Sequence, residues 1–215
     1  MSGTLWVIRH AETTLNVAGR AIGPIDAPLT EQARAMAGPM AARLNALVVE
    51  PYDLWMSPAR RCLATTEILR AAGLRAPRCE RVDSRLNGVH SGDLNGLDTE
   101  SIALRCGLTR AVVVADVTAW AFSGRGGETW DAFVSRCTAC FADLVKSTAS
   151  GDVLAVTHGF VARAFQSITR TGRLDRNAVA STRVDHGDLM AISSEDGKPR
   201  LRVHRDLEHA GISLL

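Results

Sequence analysis

Arg9-His10, Arg61 and His158 are the residues of this chain best placed to do chemistry, because each follows a short apolar run. Leu5-Trp6-Val7-Ile8 stops at Arg9 and His10. Asp53-Leu54-Trp55-Met56 leads into Ser57-Pro58-Ala59-Arg60-Arg61, and Val153-Leu154-Ala155-Val156 ends in Thr157-His158-Gly159. A guanidinium presents a planar fork of donors that matches the oxygens of a phosphoryl group. A neutral imidazole can attack phosphorus, and nearby arginines favour the neutral form by lowering its pKa. Two arginines and two imidazoles gathered in one pocket would repel one another unless an anion joined them, and a phosphoryl group is the obvious occupant. Two uses follow. The group is transferred to an imidazole and the phosphohistidine is then hydrolysed, or the pocket simply binds a phosphorylated ligand. The sequence shows neither a glycine-rich Walker loop nor a cluster of metal-binding carboxylates. That favours a reaction free of metal and cofactor over nucleotide triphosphate hydrolysis.

These residues converge only if the runs before them are parallel strands. Each run is a buried-strand signal, and helical periodicity lies between successive runs. Strands alternating with helices imply a parallel sheet, whose carboxyl ends share one edge with helix amino ends close by. Thr30 reads as a helix N-cap with Glu31 in the first turn. Ala33, Met36, Ala37, Met40, Leu44 and Leu47 follow at helical spacing, with a kink or break expected at Gly38-Pro39. Pro58 is placed at the first position of a helix running through Cys62, Leu63, Thr66, Ile68 and Leu69 and closed by Gly73. Residues 74 to 100 read as loop-rich, and 99 to 120 as partly helical. The strongest periodicity is Trp130, Phe133, Val134, Cys137, Phe141, Leu144 and Val145; after His158 come Val161, Ala162, Phe165 and Ile168. The tail from Val184 alternates like one or two strands. The expected fold is α/β, a three-layer α/β/α sandwich with a mostly parallel central sheet, as a single domain over 1–215.

A chain of 215 residues suits one domain. A net charge of +2 is too small to argue for nucleic acid or an acidic membrane surface. Met1 to Thr4 leads straight into the first strand and no apolar run is long enough to span a bilayer, so a cytoplasmic location is expected. The expected partner is a small phosphorylated substrate; a homodimer is compatible with the sequence, which does not decide the oligomeric state. Five cysteines at irregular spacing do not form a secreted disulfide framework. Cys137-x-x-Cys140 lacks a second pair of zinc ligands nearby and reads as part of its helix.

With these residues in place, the chain resembles the histidine phosphatase superfamily, the phosphoglycerate mutase-like proteins. Arg9-His10-Ala11-Glu12-Thr13 is similar to that family's Arg-His-Gly-Glu-Thr signature, and Asn16 to the asparagine that follows. Gly23 and Asp26 to Thr30 match the loop ending in Pro-Leu-Thr. Ser57-Pro58, Arg61 and Thr65 match the Ser-Pro-x-x-Arg-x-x-x-Thr block. Gly126-Gly127-Glu128-Thr129 and Thr157-His158-Gly159 match two later blocks. The pattern is closest to small phosphatases such as α-ribazole phosphatase. The resemblance implies a metal-independent phosphatase for a small metabolite, with His10 as the phosphorylated nucleophile. Arg9, Arg61 and His158 would hold the phosphoryl oxygens, with Asn16, Gly23, Ser57 and Gly159 around the substrate.

Two departures stand out. Ala11 replaces the family glycine, so a methyl group sits near the pocket. More seriously, the pattern Leu-x-Glu-x-x-x-Gly-x-x-x-Gly aligns on Leu86, Gly88, Gly92 and Gly96, and the family's acid/base glutamate falls on Gly88. Glu128, Asp93 and His90 are the substitutes within reach in sequence. A helix amino-end carboxylate, a turn residue and a polar loop side chain are their respective structural readings. Without an acid, the alternatives are a phosphate-binding pseudoenzyme or altered chemistry in the same pocket. His186, His204 and His209 read as solvent-facing or locally hydrogen-bonded, although a late histidine can border the site in this family.

Overall fold

The computed structural model describes residues 3–195 and 198–204. Six strands form one sheet: β1 (Leu5–Arg9), β2 (Tyr52–Met56), β3 (Cys79–Val82), β4 (Asp152–Thr157), β5 (Leu189–Glu195) and β6 (Lys198–His204). Their order is β3-β2-β4-β1-β5-β6. The first four strands run parallel, and β5 and β6 add to β1 as an antiparallel pair. The connections carry α1 (Thr14–Val17), α2 (Glu31–Ala35), α3 (Ala37–Leu47), α4 (Arg60–Ala71), α5 (Thr99–Cys106), α6 (Arg110–Ala115), α7 (Trp130–Ser147), α8 (Gly159–Thr171) and α9 (Arg176–Ser181).

Side chains alternate across a strand, so each strand feeds both faces of the sheet. Leu5, Val7, Val153, Ala155, Met190 and Ile192 pack on one face against Phe133, Cys137 and Leu144 of α7 and Val161 and Phe165 of α8. Trp6, Ile8, Leu54, Met56, Leu154 and Val156 pack on the other against Met40 and Leu44 of α3 and Cys62 and Leu69 of α4. The result is the expected sandwich with a mostly parallel sheet. Buried Asp152 fastens its base, accepting hydrogen bonds from Thr4 N, Trp6 Nε1 and Val49 N at 2.8–2.9 Å. Cys137 and Cys140 are free, buried helix residues, and burial pushes both thiols up to about 12. Among the described residues no helix is long and apolar enough to cross a membrane.

Within the loop-rich stretch from 74 to 100, Cys79–Val82 pair in parallel with β2 as the edge strand β3, which the sequence did not signal. Two local expectations need correction. Pro58 is not the first helical residue. It precedes the N-cap Ala59, whose amide is caught by Ser57 Oγ at 3.2 Å. The break expected at Gly38-Pro39 falls earlier, at Met36 between α2 and α3. Pro39 then stands third in α3, where a helix has no intrahelical partner for an amide N–H, so the missing donor is harmless.

Candidate active site

The sheet register brings the site together. Arg9 pairs with Thr157, and Met56 with Val156. His10, His158 and Ser57 therefore extend three adjacent parallel strands by one residue each. His10 N donates to Thr157 O at 2.8 Å, and Ser57 N to Val156 O at 3.0 Å. Adjacent strands lie about 4.8 Å apart, and the His10 and His158 rings meet edge to face with centroids 5.1 Å apart. Arg61 enters from the first turn of α4. Thr65, one turn on, donates to Arg61 O at 2.6 Å and accepts from Ala11 N at 2.9 Å, tying α4 to the segment after His10.

Hydrogen bonds fix the protons on both imidazoles. His10 Nδ1 faces Ala11 O at 2.9 Å. A carbonyl only accepts, so Nδ1 carries the proton and Nε2 keeps its lone pair. Arg61 Nε and Nη2 approach His158 Nδ1 at 3.3 and 3.1 Å. A guanidinium only donates, so His158 Nδ1 is the acceptor and Nε2 bears the hydrogen. That hydrogen points to Ser57 Oγ at 2.9 Å, and Ser57 Oγ donates to Asn87 Oδ1 at 2.6 Å. Burial first, then the neighbouring His158 and Arg9, hold the His10 pKa well below its ordinary value of 6.5. Burial and Arg61 do the same to His158.

Among the described residues, neither Arg9 nor Arg61 has a carboxylate in ion-pair contact, although Asp185 and Asp188 act on Arg9 and Asp26 on Arg61 from further off. Arg9 Nη1 donates to Val184 O at 2.7 Å, while its buried Nε has no hydrogen-bond partner among the described residues. Burial, with Arg163 next, lowers its pKa to about 10. Arg61 Nη2 donates to Gly23 O at 2.9 Å and Nη1 makes a long contact of 3.4 Å to Ile25 O. Burial lowers its pKa as well. Gly23 has φ +52°, and a Cβ there would collide with Asn95. The glycine thus turns its carbonyl onto Arg61, a role for which the motif match gave no reason.

The other predicted residues fall as follows. Asn16 uses Oδ1 to accept from Thr13 N and Thr13 Oγ1, leaving its amide NH₂ as a donor. Gly159 begins α8, and a Cβ there would touch Arg9 at 3.4 Å. Gly88 borders the cup: a Cβ would lie 3.2 Å from His158 Cγ and Nδ1 and 3.3 Å from Arg61 Nη2. Glu128 is a half-buried partner of Arg136, which meets its two oxygens at 2.5 and 2.8 Å. Asp93 Oδ1 accepts from Arg125 N at 2.9 Å and braces the glycine loop. His90 is exposed, its Nδ1 accepting from Gly92 N. His204 is the last residue of β6, and His209 lies outside the described residues. His186 is the residue that sequence reasoning underestimated. Its ring lies 5.2 Å from that of His10, and its Nδ1 is 2.8 Å from His10 O. Burial and Arg9 lower its pKa to about 4.

Comparisons with known proteins agree with this geometry. The family model for the histidine phosphatase superfamily (branch 1) matches residues 5–207. A metal-independent phosphoserine phosphatase of Arabidopsis thaliana is 29% identical over 181 residues, 84% of this chain and 74% of that protein. Glucosyl-3-phosphoglycerate phosphatase of Mycobacterium tuberculosis is 33% identical over 143 residues, 66% of this chain and 60% of the relative. The α-ribazole phosphatase of Shigella flexneri shares the fold with a TM-score of 0.74 and 22% identity, covering 93% of this chain and 95% of that one.

Proposed function

The chain belongs to the histidine phosphatase superfamily (branch 1) and is a phosphatase, a phosphoric monoester hydrolase; we propose that it cleaves small phosphorylated metabolites in the cytoplasm through a phosphohistidine on His10 Nε2. One observation carries this reading. A neutral, buried imidazole with an open Nε2 is ringed by Arg9 and Arg61, neither of which has a carboxylate in ion-pair contact among the described residues. A phosphate dianion supplies the missing negative charge. Arg9 Nε, Arg61 Nη1 and the Asn16 amide are donors with most to gain from its oxygens. Held there, the ester presents phosphorus to His10 Nε2, and charge developing on the equatorial oxygens meets fixed cations. Water then hydrolyses the phosphohistidine.

Rapid acid-free quenching during turnover of p-nitrophenyl phosphate tests the reading. The expected result is an acid-labile phosphoenzyme mapped to His10 and absent from His10→Ala. No turnover and no label, with phosphate still bound, would move the protein to the binding reading that Gly88 motivates.

A further inference from the structure

Loss of a side chain at Gly88 leaves the leaving group without the proton donor that ester cleavage favours, and the carboxylates nearest in sequence are committed. Glu128 faces Arg136, and Asp93 holds the backbone of Arg125. His158 is committed too, with Arg61 on one nitrogen and Ser57 on the other. His186 differs. Its Nδ1 donates to His10 O, while its Nε2 has no protein partner among the described residues.

The placement is built. Asp185 O accepts from Asp188 N at 3.2 Å, and Asp188 Oδ2 accepts from Asp185 N at 2.9 Å. Gly187 has φ +82°, the left-handed value that the third position of a type II turn requires. His186 is the second residue of that turn, clamped between it and the end of β1. Arg9 and His10 from β1 and Asp185 from its own turn are the charged and titratable groups acting on it. Arg163 of α8 acts on Arg9 behind them.

Resting on the phosphatase reading, we propose that His186 is a catalytic residue, the proton donor and acceptor that replaces the absent acid at Gly88. The ester enters as its monoanion and passes its proton to neutral His186 Nε2; as His10 Nε2 then bonds to phosphorus and the ester P–O bond breaks, imidazolium His186 gives that proton to the departing oxygen. Water then attacks the phosphohistidine, its proton passes to His186 Nε2, the P–N bond breaks, and the proton leaves with the released phosphate, so that His186 is neutral again. One water is consumed, one alcohol and one phosphate leave, and both histidines return to their starting states. The bound dianion favours the charged form of His186 that the first step needs.

The test compares leaving groups. His186→Asn keeps a donor toward His10 O and removes the transferable proton. Steady-state kinetics on phenyl phosphate and p-nitrophenyl phosphate, with melting curves to verify folding, give the readout. General acid catalysis contributes about 10²–10⁴-fold. His186→Asn should lose about that factor in kcat/KM on phenyl phosphate and less than about tenfold on p-nitrophenyl phosphate, whose leaving group needs no proton. Equal losses on both esters overturn the assignment and make His186 a positioning residue. A leaving-group-selective loss in Asp26→Asn, the carboxylate acting on Arg61, with none in His186→Asn, overturns it as well. Wild-type protein inert toward both esters overturns the phosphatase reading itself, a result distinct from either.

Discussion

Arg136 reaches the carbonyl of Gly88 and Arg61 lies against its α-carbon, and the two arginines are treated in opposite ways. Arg136, from α7, meets both oxygens of Glu128 and also donates to the carbonyls of Arg85, Asn87 and Gly88 at 2.7, 2.8 and 3.4 Å. Burial, the largest single influence, pulls its pKa down, but Glu128, Cys137 and Cys140 together raise it. Arg9 and Arg61, in the cup, have carbonyl and imidazole contacts and no carboxylate in ion-pair contact, and their pKa values are lowered. A buried charge is tolerated when an opposite charge and hydrogen bonds satisfy it. Arg136 is therefore complete, and its work is to hold the loop backbone at residues 85–88 against α7. In the cup, among the described residues, Asp185 and Asp188 act on Arg9 and Asp26 on Arg61 only from beyond ion-pair contact. A compensated arginine builds the wall, and one without a contacting carboxylate is left open to an anion.

The contrast predicts a series of effects, starting with the largest. His10→Ala should lower turnover by at least about 10⁴-fold, as loss of a nucleophile does, and abolish the phosphoenzyme; stopped-flow product release with quench labelling measures both. Arg61→Met should cost about 10²–10³-fold in kcat/KM, the scale for one transition-state donor. It should also weaken phosphate binding by calorimetry while leaving the phosphate-free melting temperature unchanged or higher. A substantial destabilisation would mean that Arg61 is as structural as Arg136.

Arg136→Met should do the reverse. Stranding Glu128 costs about 3–5 kcal/mol of stability, read by denaturant unfolding, and Glu128→Gln in the same chain should restore part of it. The smallest effect is one of pH. The unfolded histidines take protons near 6.5, whereas folded His186 does so only near 4, and His10 and His158 well below 6.5. The unfolded chain then binds more protons below pH 6.5, so stability is full above that value and falls as pH drops toward 4. Saturating phosphate should flatten the decline, since an anion makes protonated imidazoles less costly. Melting temperatures across that range, with and without phosphate, measure both slopes.

Much of the site was legible because its signals are local. An apolar run that stops at a charged or polar residue marks the carboxyl end of a buried strand. Three such runs announced His10, Ser57 and His158, and the helices between them announced the parallel sheet. β3 was not legible. Cys79 to Val82 are all exposed and show no alternation, and pairing with β2 makes them a strand. Glu128 had the residue type of an acid and the sequence context of a functional loop, and it found Arg136 instead. His186 had neither apolar run nor motif around it, and 176 residues separate it from its partner His10.

The sequence by itself determined which residues could handle a phosphoryl group, which strands would carry them, and that Gly88 provides no acid. These follow from side-chain chemistry and from periodicities of a few residues. The tertiary structure decided which arginine is neutralised and which is left for an anion, which tautomer each histidine holds, and which third imidazole joins the cup. Some of these outcomes rest on near neighbours, Ala11 O for His10 and Glu128 for Arg136; those of His158 with Arg61 and His186 with His10 cross 97 and 176 residues and are fixed by the pairing of β1 with β4 and by the turn that leads into β5.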